Sequence, residues 1–415
     1  RSWGHGRVGV AAGLVVAWWR AGRPLVSFGG AWSAPITTVP PIEPCYTPPQ
    51  GAAVALRFAD VRVPAPWVQL RFMCGRRAIV RVPIRSVYMV TNTTTLVRVD
   101  SGANIPLDGA LSLQLDADSR DFGFSAAIKE DALALVEPGS PGASVELLAT
   151  VNGTACRLIA ESISRERSFG RVTLRIQGRG RASLLDAPYA ALASYGNAGG
   201  ALTAAQLLEA VLPGGWSLDW GITDWLVPAG VWSHQGTPAS AAATIAAAAG
   251  AYLQPHLSDK VLRVLARYPS APWDWGGLTP DLELPAAVTE REAIEWVERP
   301  RYDGVYVSGT TGSTRYHVKR TGTAGTTLAQ MVTDPLITHS AAGRQRGLPA
   351  LADTGRQARV TLRLPVLAET GLILPGKLVS YVDGGITRRG LVRSWSLEAG
   401  FPETFQTIGV ETHVD

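Results

Sequence analysis

This sequence predicts a mainly β protein with an α+β component: two antiparallel barrel-like modules flank a small α/β module, behind a basic, proline-rich amino-terminal module. Three observations predict it. Alternating apolar and polar residues recur in two separate stretches, which is the pattern of half-buried strands. Gly 44 and Pro 28 in a chain of 415 residues supply many turns, and these suit short strands more than a helical bundle. Helical periodicity is confined to the middle of the chain. The length is that of several domains, and Cys 3 cannot staple so large a framework with disulfides.

Residues 1–80 form the first module. Charge is uneven along the chain: residues 1–98 hold twelve arginines against Glu43 and Asp60, a net +10, so the rest of a chain totalling +5 stands at −5. A basic face of this kind suits nucleic acid, a membrane surface or an acidic protein partner. Only Lys129, Lys260, Lys319 and Lys377 are lysines, so a simple polybasic anchor is not indicated. The longest apolar run, 8–19, has twelve residues, short of the roughly 18 to 20 that span a bilayer, and no stable membrane span is expected. Residues 34–66 contain eight prolines and read as an extended connector. Trp3, Trp18, Trp19 and Trp32 are natural interface anchors. Cys45 and Cys74 each sit beside a turn. Two thiolates are two short of a closed site, so a metal or iron–sulfur cluster held by them needs ligands from another chain, and otherwise they are ordinary thiols.

Residues 81–190 read as the first barrel. Leu111, Leu113 and Leu115 alternate with Ser112, Gln114 and Asp116, and Phe122, Phe124, Ala126 and Ile128 keep the same period. Val172, Leu174 and Ile176 alternate with Arg171, Thr173, Arg175 and Gln177. Each set predicts a strand with one wet face. Cys156 falls on a strand and is expected in the core.

Residues 191–275 read as the α/β module. One helix is expected over 203–212, ended by Pro213, Gly214 and Gly215. A second starts at the Thr237-Pro238 cap and first-turn pair and is expected to run through an alanine-rich stretch to about 253. A strand follows at 261–267. Residues 276–415 read as the second barrel: a connector to Pro285, strands at 295–298 and 304–308, and an insertion at 309–355 with loops over 309–325 and a helix near 338–351 interrupted by Gly347 and Pro349. Val360, Leu362 and Leu364 then alternate with Arg359, Thr361 and Arg363. A strand at 378–383 turns at Asp383-Gly384-Gly385, and the last strand covers 405–412.

No catalytic signature stands out. Residues 4–9 match GxGxxG by letters, but no adequate strand precedes them and no βαβ unit follows. There is no Walker A loop, no HExxH and no GxSxG. Glu290, Glu292, Glu295 and Glu298, interspersed with Arg291 and Arg299, read as a solvated face. The six histidines lie far apart, so a zinc site is not expected. The chain is read as a non-enzyme without a cofactor of its own.

From 88 to 189 an ordered series of segments resembles the first barrel of the baseplate hub, or tail tip hub, proteins of long-tailed bacteriophages: LSLQLDADSRDFGF at 111–124, VNGT at 151–154, ESISRERSF at 161–169, GRGR at 178–181 and APY at 187–189. Gly236-Thr237-Pro238 with the alanine-rich helix, and 252–255, are similar to the small α/β domain of such hubs. Residues 371–376 and 390–392 resemble the returning strands of the second barrel. The resemblance covers about 80–415. It implies two tube-like barrels per chain and a homotrimer whose six barrels adapt a sixfold tail tube to a three-fold tip. The ring would line a channel for tape measure protein and for DNA, which passes without specific binding. It also implies contacts with the tail tube or distal tail protein, other tail tip proteins and a central fibre, in a virion assembled in the host cytoplasm. A lumen dense in unpaired arginine would hold phosphate, so Arg171, Arg175, Arg359 and Arg363 are expected in ion pairs or at interfaces. Residues 1–80 have no equivalent in the contractile-tail hubs and are expected to contact neighbouring tail proteins. Two other readings share parts of the pattern: the spike hub of a type VI secretion system or tailocin, and a tail-associated wall hydrolase.

Overall fold

The computed structural model describes residues 79–414 apart from 86, 87, 89, 140–142, 170, 311–314 and 401–402, together with four short strands nearer the amino terminus. The chain divides into two compact units, Arg1–Ala78 and Ile79–Asp415. In the first, His5–Arg7 pairs antiparallel with Val15–Ala17, and Val26–Ser27 with Ala55–Leu56. Trp3, Trp18, Trp19, Trp32, Cys45 and Cys74 lie outside the described residues, as do Gly4, Val8 and Gly9 of the glycine pattern.

The second unit is mainly β. Its first part holds β1 (Thr94–Arg98), β2 (Leu107–Asp116), β3 (Gly123–Ile128), β4 (Val145–Val151), β5 (Thr154–Ser168) and β6 (Arg171–Gly180). The alternation read from the sequence is the alternation built: Leu111, Leu113, Leu115, Phe122, Phe124, Ala126, Ile128, Leu174 and Ile176 are buried, while Val172 is only half-buried. Cys156 is buried in the same core. Hydrogen bonding runs β2-β3-β6-β5-β4-β1 and returns to its start, because Val97 on β1 bridges Asn104 just before β2. These strands therefore curl back on themselves as a barrel, open only where 161–168 of β5 pair with β6 alone among the described residues.

A middle module follows, with α1 (Ala204–Val211), β7 (Ser217–Trp220), α2 (Pro238–Ala248), β8 (Ala251–Pro255) and β9 (Val261–Ala266). Thr203 caps α1 in a capping box with Gln206, and Thr237 caps α2 with Pro238 in the first turn. The second helix ends at Ala248, short of the expected 253. Gly250 adopts a φ of +65°, which breaks the helix, and 251–255 is instead a strand paired antiparallel with β9. The small residues of α2 bury almost one whole side against Leu253, Leu262 and Val264.

The last part holds β10 (Arg291–Glu298), β11 (Gly304–Ser308), β12 (Arg315–Lys319), α3 (Ser340–Ala352), β13 (Arg356–Pro365), β14 (Leu378–Asp383), β15 (Ile386–Ala399) and β16 (Thr404–His413). The expected loop over 309–325 contains β12, which pairs antiparallel with β11. Helix α3 runs through Gly347 and Pro349 without the expected interruption. Gly347 is needed there because an added Cβ would lie against the Val318 side chain. The connector before β10 carries a strand, Leu282–Glu283, that pairs with β14 on one side and with Val80–Arg81 on the other.

The two mainly β parts share a single 13-stranded sheet, whose main path of ten strands runs β10-β13-β16-β15-β2-β3-β6-β5-β4-β1, with β14, Leu282–Glu283 and Val80–Arg81 branching from it. The link is the antiparallel pairing of 394–399 on β15 with 111–116 on β2. Trp395 and Leu397 of the second part and Leu113 and Leu115 of the first are buried at this joint, and one hydrophobic core runs through both.

Candidate assembly interface

The two parts of the sheet repeat one topology. In the first, Leu111, Ala126, Ile176 and Ile163 face one another across β2, β3, β6 and β5. In the second, Glu292, Leu362, Ile408 and Trp395 do so across β10, β13, β16 and β15. One row further along, Leu113, Phe124, Gly178 and Ala160 match Ile294, Val360, Val410 and Val392. Both long strands carry their register shift at the same place, between Ala160 and Ser162 on β5 and between Val392 and Ser394 on β15. A bulge conserved between two halves of one sheet is a built feature that re-aims the strand beyond it.

The bulges also carry matching ion pairs with the charges exchanged. At the first, Arg179 on β6 holds Glu161 at 2.6 Å. At the second, Arg393 holds Glu411 on β16 at 2.8 Å. The second pair is the core of a buried network. The Tyr268 hydroxyl donates to Glu411 at 2.7 Å, His413 Nε2 lies 2.8 Å from the same carboxylate, and the Arg393 guanidinium sits 4.1 Å from the Tyr268 ring centroid. Burial alone would raise the Glu411 carboxyl, but the bonds from His413, Arg393 and Tyr268 and the arginine charge bring it down to about 2. Burial, with the Glu411 charge beside it, pushes the Tyr268 phenol up. Near the first bulge, burial pushes the Asp121 carboxyl up to about 7.

The repeat is satisfied at one end of each strand and open at the other. Past its bulge, β15 pairs with β2. Past its own bulge, β5 continues as 161–168 in a hairpin with β6 and, among the described residues, has no partner on its outer edge. Strand β10, the counterpart of β2, pairs with β13 alone among the described residues. Nearly every residue on both segments is exposed or half-buried. Trp296 on β10 is 44% exposed, whereas Leu115 at the counterpart position is 3% exposed. Its indole is flanked by Arg356 at 4.9 Å and Arg388 at 5.6 Å. Phe169 at the hairpin tip is fully exposed. A groove of about 360 Å³, lined by Val136, Val145, Ile163, Pro188 and Tyr189 among others, opens beside the free edge of β5.

Of the four arginines expected in ion pairs or at interfaces, the Arg171 side chain lies outside the described residues, and Arg363 pairs with Glu290 at 2.9 Å and Glu398 at 3.6 Å and lies 4.4 Å from the Phe405 ring centroid. Arg175 and Arg359 are exposed and make no ion pair among the described residues. Among those residues, no group of three or more His, Cys, Asp or Glu could hold a metal ion, and no helix is long and apolar enough to cross a membrane. The two free edges and Trp296 escaped the sequence reading, which treated 290–299 as a solvated face. The signal for them was a strand-length run with Ile294 and Trp296 among its charges.

No protein-family model and no curated protein matches the sequence. Solved structures do match. A tail protein from Neisseria meningitidis superposes with a TM-score of 0.54 at 17% identity, over 78% of this chain and 97% of that one. The 43 kDa tail protein of a Shewanella oneidensis prophage gives 0.52 at 15%, over 77% and 98%. A prophage tail protein from Listeria monocytogenes gives 0.51 at 9%, over 76% and 94%. The chain is similar in fold to these phage tail proteins across nearly their full length.

Proposed function

We propose that this chain is a structural baseplate hub of a phage tail tip. Three copies, each contributing two barrels, present six similar units to a sixfold tail tube and a three-fold face to the tip. The observation that carries this reading is the internal repeat: two four-strand units of matching register joined in one sheet, with an unpaired edge on β10 and another along 161–168 of β5 among the described residues. Free edges of this length invite pairing with another chain, and an assembly that uses them also removes an aggregation liability. The fold of the tail proteins supports the reading.

On this account the ring lines the passage for tape measure protein and DNA and turns over no substrate. Arg363, already paired to Glu290 and Glu398, would not grip passing phosphate. The basic module at 1–80 contacts neighbouring tail proteins through Trp3, Trp18, Trp19 and Trp32. If Cys45 and Cys74 hold a metal or cluster, the remaining ligands come from another chain. The protein assembles in the host cytoplasm and resides at the tail tip, beside the tail tube or distal tail protein and a central fibre. The test is immunogold labelling of purified phage particles that encode the chain. Label confined to the tail tip supports the reading, and label absent from particles or spread along the tube overturns it.

A further inference from the structure

The internal repeat makes a specific contact between copies readable, residue by residue. Inside one chain, the segment past the β15 bulge pairs with β2, with Ser394 facing Asp116, Trp395 facing Leu115 and Ala399 facing Leu111. The counterpart of Trp395 is Ile163, since each faces the matching isoleucine, Ile408 or Ile176. The counterpart of Leu113 is Ile294, which puts Trp296 in the place of Leu115 two residues on.

We propose that residues 162–167 of one copy pair antiparallel with residues 292–297 of the next copy, with Ile163 facing Trp296 and Arg167 facing Glu292. This rests on the hub reading and names the surfaces that reading requires. Three features agree with it. Both segments lack a partner on the edge concerned. The aliphatic and tryptophan residues of the buried Leu115–Trp395 pair reappear with sides exchanged as Trp296 and Ile163. The β10 strand carries Glu292, Glu295 and Glu298 against one arginine, while the β5 edge carries Arg165 and Arg167 against Glu166 beyond its already paired Glu161. Directly opposed residues on antiparallel strands share a face, so Trp296 would lie over the groove beside Ile163 and Tyr189.

Exposure follows the same logic. The ion pair at the occupied joint, Arg393 with Glu411, has side chains 17% and 13% exposed, and the equivalent Arg179–Glu161 pair beside the free edge is 32% and 25% exposed. The contact is heterologous, so its repetition closes a ring or grows a filament. In a ring, both free edges of every copy are consumed and the sheet becomes continuous.

The test is cysteine cross-linking in the full chain. Ser164 and Glu295 face each other in this register, so the variant Ser164→Cys with Glu295→Cys places two thiols at cross-strand spacing, within disulfide reach. Mild oxidation should convert it to covalent trimer on a non-reducing gel. The control Ser164→Cys with Ala293→Cys, two residues out of register, should not link. A second measurement uses charge: Arg167→Glu should weaken self-association about two- to fivefold, as expected for one cross-strand pair, and Glu292→Arg in the same chain should restore it.

An oligomer of unchanged mass in which the first pair stays reduced, or in which the control links equally well, overturns the register and leaves the hub reading standing. A chain that remains monomeric with tail partners added overturns both. In-register linking by a chain absent from tail tips keeps the contact and removes the hub.

Discussion

Gln406 offers the sharpest test of how the joint between the two barrels is held. Its side chain is completely buried. Its Oε1 accepts from the Ile373 amide at 2.9 Å and from Trp395 Nε1 at 3.2 Å, and its Nε2 donates to the Gly371 carbonyl at 2.9 Å. One amide thus ties the 371–373 loop to β16 and to the tryptophan at the joint. Gln406→Leu keeps the volume and gains apolar surface, yet orphans two donors and one acceptor. Each stranded buried group costs about 1–3 kcal/mol, and burying the leucine returns about 1.5–3 kcal/mol. The net loss is about 3 kcal/mol. Urea denaturation should show it as a lower midpoint, and hydrogen exchange should show the Ile373 amide opening roughly a hundredfold more readily, at 1.4 kcal/mol per decade. A midpoint within about 0.5 kcal/mol of the parent, with Ile373 still protected, would refute the reasoning, since surface-like changes fall in that range.

Other outcomes follow from the same structure. Glu411, at about 2 when folded against an ordinary 4.5, contributes stability that is fully present above pH 4.5 and lost as pH falls toward 2. Glu411→Gln should abolish this acid-sensitive step, worth about 3 kcal/mol, in denaturation midpoints measured across that window. Asp121 has the opposite sign. Its folded value near 7 lies above 3.8, so stability declines as pH rises between them, and Asp121→Asn should raise the melting temperature at pH 8 but not at pH 3. Gly178→Ala should prevent folding, because its Cβ would collide with the Ile159 carbonyl oxygen across the bulge, and circular dichroism of soluble material should show native β content lost. In phage, Trp18→Ala with Trp19→Ala should impair tail assembly, and normal infectivity would count against the interface role of residues 1–80.

Much of the second unit was legible because period-two alternation is strong wherever one face of a strand is buried. Leu111 to Leu115, Phe122 to Ile128 and Val360 to Leu364 gave both the strands and their core faces. The helix cap at Thr237 was legible because capping is local chemistry. The stop of α2 was missed because alanine continues a helix readily, and only the left-handed φ of Gly250 ends it. Strand β12 was missed because Arg315 to Lys319 is half charged and faces solvent on alternate residues. The pairing of β15 with β2 was out of reach, since it joins strands nearly three hundred residues apart and no local pattern records which edge meets which. For the same reason the sequence pointed to segments 161–169 and 290–298 without showing that each carries an unpaired edge among the described residues.

The proposed assembly is a ring of three copies with six similar barrels. The most direct measurement is the absolute mass of the purified chain by light scattering, with particles from the same peak imaged by electron microscopy. A trimeric hub gives three times the 44.0 kDa of one chain and a hollow three-fold ring with six lobes. A compact monomer, or a closed two-fold dimer, that persists when tail-tube partners are added would contradict it.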